Sequence, residues 1–153
     1  MLSFVNIGIY WNNHHHLLKT IDKVTGAMLW SNLNLLFWIS LFPFTTAWMS
    51  EHGFAKDTVA TYGIVLAFAA IAYTILQTVI VASQGSDSRL KEALGNDVKA
   101  KMSLVSYLVS IPLAFALRWV SVGIFVAVAV TWLIPDRRLS QYIATSRGDD
   151  ATN

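Results

Sequence analysis

Five stretches of this chain run for 16 residues or more without a formal charge, taking histidine as neutral. They are 1–18, 24–50, 58–86, 102–117 and 119–135. A helix adds about 1.5 Å per residue, so about 20 apolar residues cross a hydrocarbon core of about 30 Å. Runs of this length therefore predict membrane-spanning helices. Composition agrees: 55% of the 153 residues are hydrophobic, only 13% are charged, and mean hydropathy is +0.51. A soluble domain carries about 25% charge. The aromatic and β-branched content excludes a disordered chain. A net charge of +2 offers no basic surface for nucleic acid. Without cysteine, the chain has no disulfide framework, thiolate metal site or thiol nucleophile.

The fold class that follows is all-α, a polytopic membrane helix bundle. Its predicted helices cover approximately 1–18, 27–49, 57–83, 98–116 and 119–134. No segment alternates apolar and polar residues as barrel strands do. Arg118 alone separates the last two helices, which predicts a tight helical hairpin. Asp57 is placed to cap the third helix, and Asn96 or Asp97 the fourth. Pro43 and Pro112 lie inside predicted helices and should kink them. Trp30 and Trp48 are set to mark the two headgroup levels, or else to pack between helices. Ser and Thr within the spans (Ser40, Thr45, Thr46, Thr74 and Thr78) should bond back to their own helices. Residues 1–139 thus form one transmembrane domain. The segment 83–97 is a polar connection, and 140–153 is a tail expected to be disordered and cytoplasmic.

Basic residues collect on the cytoplasmic side of membrane proteins. With five spans, Lys19, Lys23, Arg89, Lys91, Lys99, Lys101, Arg137, Arg138 and Arg147 fall on one side, and Lys56 and Arg118 on the other. This places the C-terminus in the cytoplasm and Met1 outside. The chain then opens directly on an apolar span, which fits either an N-out protein or one with a further helix upstream.

Polar residues gather in the first two predicted helices: Asn6, the run Tyr10–His16, and Ser31, Asn32 and Asn34. Amides and imidazoles in lipid are costly unless bonded, so they should face a helix interface or water. Asn12 and His16 share a helix face, with Asn13 beside His16. Asn32 and Asn34 are about 200° apart, so at most one reaches a given neighbour. Three uses fit: an interhelical hydrogen-bond network, a pH sensor or proton relay, or a metal site. The metal reading is the poorest, because adjacent histidines diverge by about 100° and no carboxylate or cysteine sits at ligand spacing. Enzymatic chemistry has no support, since no phosphate-binding loop, nucleophile triad or zinc-protease motif occurs. A TVGYG potassium filter is missing too.

The runs YWNNHHHLL (Tyr10–Leu18) and WSNLNLLFWISLFPF (Trp30–Phe44), with the ending WLIPDRRL (Trp132–Leu139), resemble bacterial members of the transmembrane protein 175 family. This is the family of the endosomal and lysosomal potassium channel, and the resemblance extends over nearly the whole chain. It implies six helices per subunit, cytoplasmic termini and a homotetramer in the bacterial inner membrane. It also implies passive potassium conduction through a hydrophobic constriction on the first helix, which carries a Phe-Ser-Asp motif. Polar residues of the next two helices hold that motif, and Trp11, Asn12, His15, His16 and Asn32 match them. The Phe-Ser-Asp helix is not found here. The five spans correspond to the family's second to sixth, so an N-terminally truncated or shortened member is expected, with conduction by these 153 residues in doubt. The implied partners are potassium ion, the bilayer and identical subunits, with no cofactor, metal or nucleic acid. The alternative is a non-conducting membrane protein that packs with partners through the polar helices one and two.

Overall fold

The computed structural model describes residues 2–18, 21, 24–83 and 98–133. Among these, every element is helical: α1 (Leu2–Leu18), α2 (Gly26–Ser40), α3 (Phe42–Glu51), α4 (Lys56–Ser83) and α5 (Val98–Leu133). The predicted 83–97 connection, apart from Ser83, and the tail from Ser140 lie outside the described residues. So do the proposed caps Asn96 and Asp97.

Local chemistry explains most boundaries. The Thr25 side chain accepts the Met28 N–H at 3.4 Å and caps α2. The single helix expected over 27–49 is divided at Leu41, so Pro43 does not lie in a helix interior. It falls in the first turn of α3, where its missing N–H costs nothing. The Leu41 N–H instead reaches Trp38 O at 3.2 Å, a tighter turn that joins α2 to α3. Asp57 is likewise not a cap. Helix α4 begins at Lys56, and Asp57 sits within its first turn, where its charge still favours the helix dipole. The five Ser and Thr hydroxyls do bond back. Ser40 donates to Phe37 O, Thr45 to Leu41 O, Thr46 to Phe42 O, Thr74 to Ala70 O and Thr78 to Thr74 O, all within 2.9 Å.

Helix α5 is assigned as one helix, yet its two halves fold against each other. Leu117 leaves helical geometry at φ −137° and ψ 66°. Across it, the Ser121 hydroxyl donates to Ser110 O at 2.9 Å, and Trp132 Nε1 donates to Ser103 Oγ at 2.8 Å. In a straight helix Ser103 and Trp132 would stand about 43 Å apart. The residues 98–116 and 118–133 are therefore antiparallel arms, reversing where the sequence placed its hairpin. Among the described residues three helical stretches are long and apolar enough to cross a membrane: Gly26–Glu51, Lys56–Ser83 and Lys99–Leu133. The sequence predicted five. The difference has two sources. The 17 residues of α1 reach only about 26 Å. The two arms of α5 also count as one stretch, despite the reversal.

Helix α4 is the axis of the bundle. Fifteen of its 28 residues are buried. The α2–α3 pair covers one side of it and α5 the other. The packing layer is aromatic: Tyr10 meets Phe42 edge-on at 5.4 Å, Phe42 meets Tyr62 at 6.5 Å, and Tyr62 meets Phe125 at 5.4 Å. Such pairs contribute about 0.5–1.5 kcal/mol beyond area burial. At one end of the bundle the α3–α4 turn carries Gly53 and Phe54, both in the left-handed region at φ 57°. Glycine adopts that backbone freely, whereas phenylalanine there is strained. Two contacts hold Phe54 in place. Its carbonyl accepts from the Arg118 guanidinium at 3.4 Å, and its ring lies 5.3 Å from that of Trp119. The two reversals are thus tied together, with Lys56 and Arg118 at the same end.

At Gly63 α4 packs tightly on α5. A Cβ there would lie 3.1 Å from Phe125 Cζ and 3.3 Å from Ile111 Cγ1, whereas one at Gly123 would meet nothing within 4 Å. Gly63→Leu should cost about 1–3 kcal/mol through overpacking. Gly123→Ala should be neutral or stabilising by up to about 1 kcal/mol. Unfolding of purified protein in mixed detergent checks both. Equal effects would contradict the packing assigned to α4 and α5.

Candidate functional site in helix α1

The polar residues of α1 divide between two faces. Ile9 and Tyr10 lie three and four residues after Asn6, and Asn13 lies four and three after them, which puts all four on one stripe. That stripe turns inward. Asn6 is buried and donates from Nδ2 to the Tyr62 hydroxyl at 2.9 Å. Asn13 donates to Ile9 O, one turn back, at 2.8 Å. Tyr10 wedges between Phe42 and Tyr73, edge-on to both. The amides of Asn6 and Asn13 therefore end on protein partners, as their cost in an apolar medium requires.

The opposite face carries Phe4, Gly8, Trp11, Asn12 and His15, all exposed. The Trp11 ring is 63% exposed and stacks on the His15 imidazole at 5.2 Å with an interplanar angle of 5°. Three of the five residues matched to the supporting network, Trp11, Asn12 and His15, thus stand together on an outward face. The fourth, Asn32, does not join them. Its Oδ1 is bonded to Nε2 of His14, which joins α1 to α2. The histidine that meets α2 is therefore His14, which is not among the five. The side chain of the fifth, His16, lies outside the description. Asn34 is exposed, which agrees with the expectation that only one of Asn32 and Asn34 reaches a given neighbour. Among the described residues no three of His, Cys, Asp and Glu converge as metal ligands would.

Several partners escaped the sequence. Tyr62 on α4 and Phe42 on α3 are buried and look like ordinary core residues in a linear reading. Only the stripe Asn6–Tyr10–Asn13 was available as a signal, because it separates by period from Trp11, Asn12 and His15. The His14–Asn32 contact predicts its own energetics. A double-mutant cycle with His14→Ala and Asn32→Ala should give a coupling of about 0.6–2 kcal/mol. The matching cycle with His15→Ala should give coupling near zero. A reversed order would show that the two helices meet in another register.

Residues 1–43, which hold α1, α2 and the start of α3, match the family model described as endosomal/lysosomal potassium channel TMEM175. A potassium channel of Chryseobacterium sp. (strain P1-3) is 48% identical over 141 residues, covering 92% of this chain and 73% of the relative. A potassium channel of Chamaesiphon minutus is 28% identical over 138 residues, covering 85% of this chain and 67% of that relative. One of Streptomyces collinus is 31% identical over 81 residues, covering 50% and 39%. No solved structure matches significantly. The identity extends across nearly the whole chain, beyond the polar helices to the packed bundle behind them. With its apolar helices, the chain is an integral membrane protein and belongs to the TMEM175 potassium-channel family.

Proposed function

We propose that this chain is a subunit of a potassium-selective channel that conducts passively and performs no covalent chemistry. The observation that carries the reading is the 48% identity to a potassium channel over 92% of the chain. The topology proposed is five crossings: α1, the α2–α3 pair, α4 and each arm of α5. Support comes from the alternating directions. Asn6 meets Tyr62 and Tyr10 meets Tyr73, so α1 runs the same way as α4. Tyr62 meets Phe125 and Tyr73 meets Trp132, so the second arm does too, and the first arm runs back between them. The end holding Lys56 and Arg118 is proposed to face away from the cytoplasm. The end holding Lys99 and Lys101 would then face it, in the inner membrane of a bacterium, in keeping with the charge bias.

The outward face of α1 supports a role in assembly. Asn12 and His15 stand exposed on an apolar helix, and polar groups at membrane depth persist only against protein or water. We assign that face to a further helix of the channel, the one that lines the pore and supplies its hydrophobic constriction, within a homotetramer. Support for a longer channel subunit is that the match leaves 27% of the Chryseobacterium relative uncovered. The competing reading, a non-conducting protein that packs with partners through α1 and α2, uses the same surface.

Flux measurements separate the two. The chain, expressed with whatever its native reading frame encodes around it, is reconstituted into potassium-loaded liposomes. A channel gives potassium efflux down its gradient without an energy source, faster than sodium efflux under the same conditions. Efflux equal to that of protein-free liposomes would favour the non-conducting reading. Within a conducting preparation, Trp11→Ala should weaken the oligomer or change the current. Unchanged oligomer stability and current would remove the supporting role of the outward face.

A further inference from the structure

Behind the inner stripe of α1 lies a cavity of about 30 Å³, bounded by α1, α4 and both arms of α5. It exists because small residues occupy three of its walls: Ala70 on α4, Ala100 on the first arm and Ala129 on the second. Its polar groups are the amides of Asn6 and Asn13 and the hydroxyls of Tyr10, Tyr73, Ser103 and Tyr107. Some of these are bound within the protein: Asn6 to Tyr62, Asn13 to Ile9 O, and Ser103 to both Trp132 and Lys99 O. Tyr10 and Tyr107 are different. Tyr107 is 3% exposed, and neither hydroxyl has a hydrogen-bond partner among the described residues. No fully enclosed side-chain polar atom among the described residues lacks a partner, so these two hydroxyls are not sealed off, and both residues line the cavity.

We propose that this cavity is an internal hydration site whose bound water bridges the hydroxyls of Tyr10 and Tyr107 and so docks α1 onto the α5 hairpin. The size and the chemistry agree. A cavity of this volume exceeds the 10–15 Å³ or so that one water needs, and a buried water requires two to four polar partners. Two phenol hydroxyls and the second lone pairs of the neighbouring amide and hydroxyl oxygens supply them. All are neutral and can donate to or accept from one water. Such a bridge is nearly as favourable in enthalpy as a direct hydrogen bond. It also explains how α1, which presents a polar stripe to α5, packs there without leaving tyrosine hydroxyls in an apolar medium. The site lies on the face of α1 opposite Trp11, Asn12 and His15, and its existence does not depend on conduction.

Radiolytic hydroxyl labelling in lipid nanodiscs tests it, because radicals formed from a bound water modify the ring beside it. Tyr62 is the internal comparator: it is fully buried and its hydroxyl is bonded to Asn6. In the native protein, Tyr107 and Tyr10 should label several-fold faster than Tyr62. Ala100→Leu, which fills the cavity from the first arm, should bring Tyr107 down to the Tyr62 rate while helix content is unchanged. Labelling of Tyr107 no faster than Tyr62 in the native protein would overturn the proposal, whether or not the variant folds. Fast labelling that persists in a folded Ala100→Leu protein would overturn it too.

Discussion

The structure depends on one constraint: in an apolar medium every amide, imidazole and hydroxyl must meet a partner. Between helices in lipid there is little hydrophobic gain, because the lipid tails are as apolar as leucine. Packing and hydrogen bonding must therefore select the arrangement. Helix α1 shows the consequence most plainly. Its inner stripe is anchored by Asn6 on Tyr62, its flank by His14 on Asn32, and its outer face presents Trp11 stacked on His15. The first two contacts join α1 to α4 and to α2, so the rotation of the helix about its axis is fixed. That rotation in turn decides which polar groups look outward.

The rest of the bundle makes this placement rigid. Helix α4 is enclosed because its small residues, Gly63, Ala67, Ala69, Ala70 and Ala72, let neighbours approach closely. The aromatic series from Tyr10 through Phe42 and Tyr62 to Phe125 links α1, α3, α4 and the second arm of α5 across the molecule. Arg118 then ties the α5 reversal to the α3–α4 turn. The bundle thus presents α1 as a fixed helix with Trp11, Asn12 and His15 on its outward face.

Much of this was legible in the residues. The charge-free runs gave the helical class, and the lone Arg118 between two apolar segments gave the reversal in α5. The back-bonding of Ser40, Thr45, Thr46, Thr74 and Thr78 followed from hydroxyls having no water to bond. Other features were hidden for physical reasons. Pro43 reads as a kink inside one long helix, but at a first turn it fits better than in an interior, and the chain divides at Leu41 instead. Asp57 resembles a cap, but the boundary is set one residue before it. Among the three histidines, the sequence gives directions about 100° apart but not the rotation of α1. That rotation is set by Tyr62 and Phe42, 56 and 36 residues from Asn6, and no local pattern contains it. For the same reason the contact of Asn32 with His14 cannot be read from the residues alone.

The central claim is that the outward face of α1 is covered by protein in the assembled channel. The chain has no cysteine, so Asn12→Cys gives a single site for a spin label. Accessibility of that label to oxygen and to a water-soluble relaxing agent would be measured in the reconstituted assembly, with Val130→Cys as a reference on the exposed surface of α5. Low accessibility to both agents is expected at position 12. High oxygen accessibility there, equal to that at position 130, would mean that Asn12 faces lipid, and the supporting role of α1 would be contradicted.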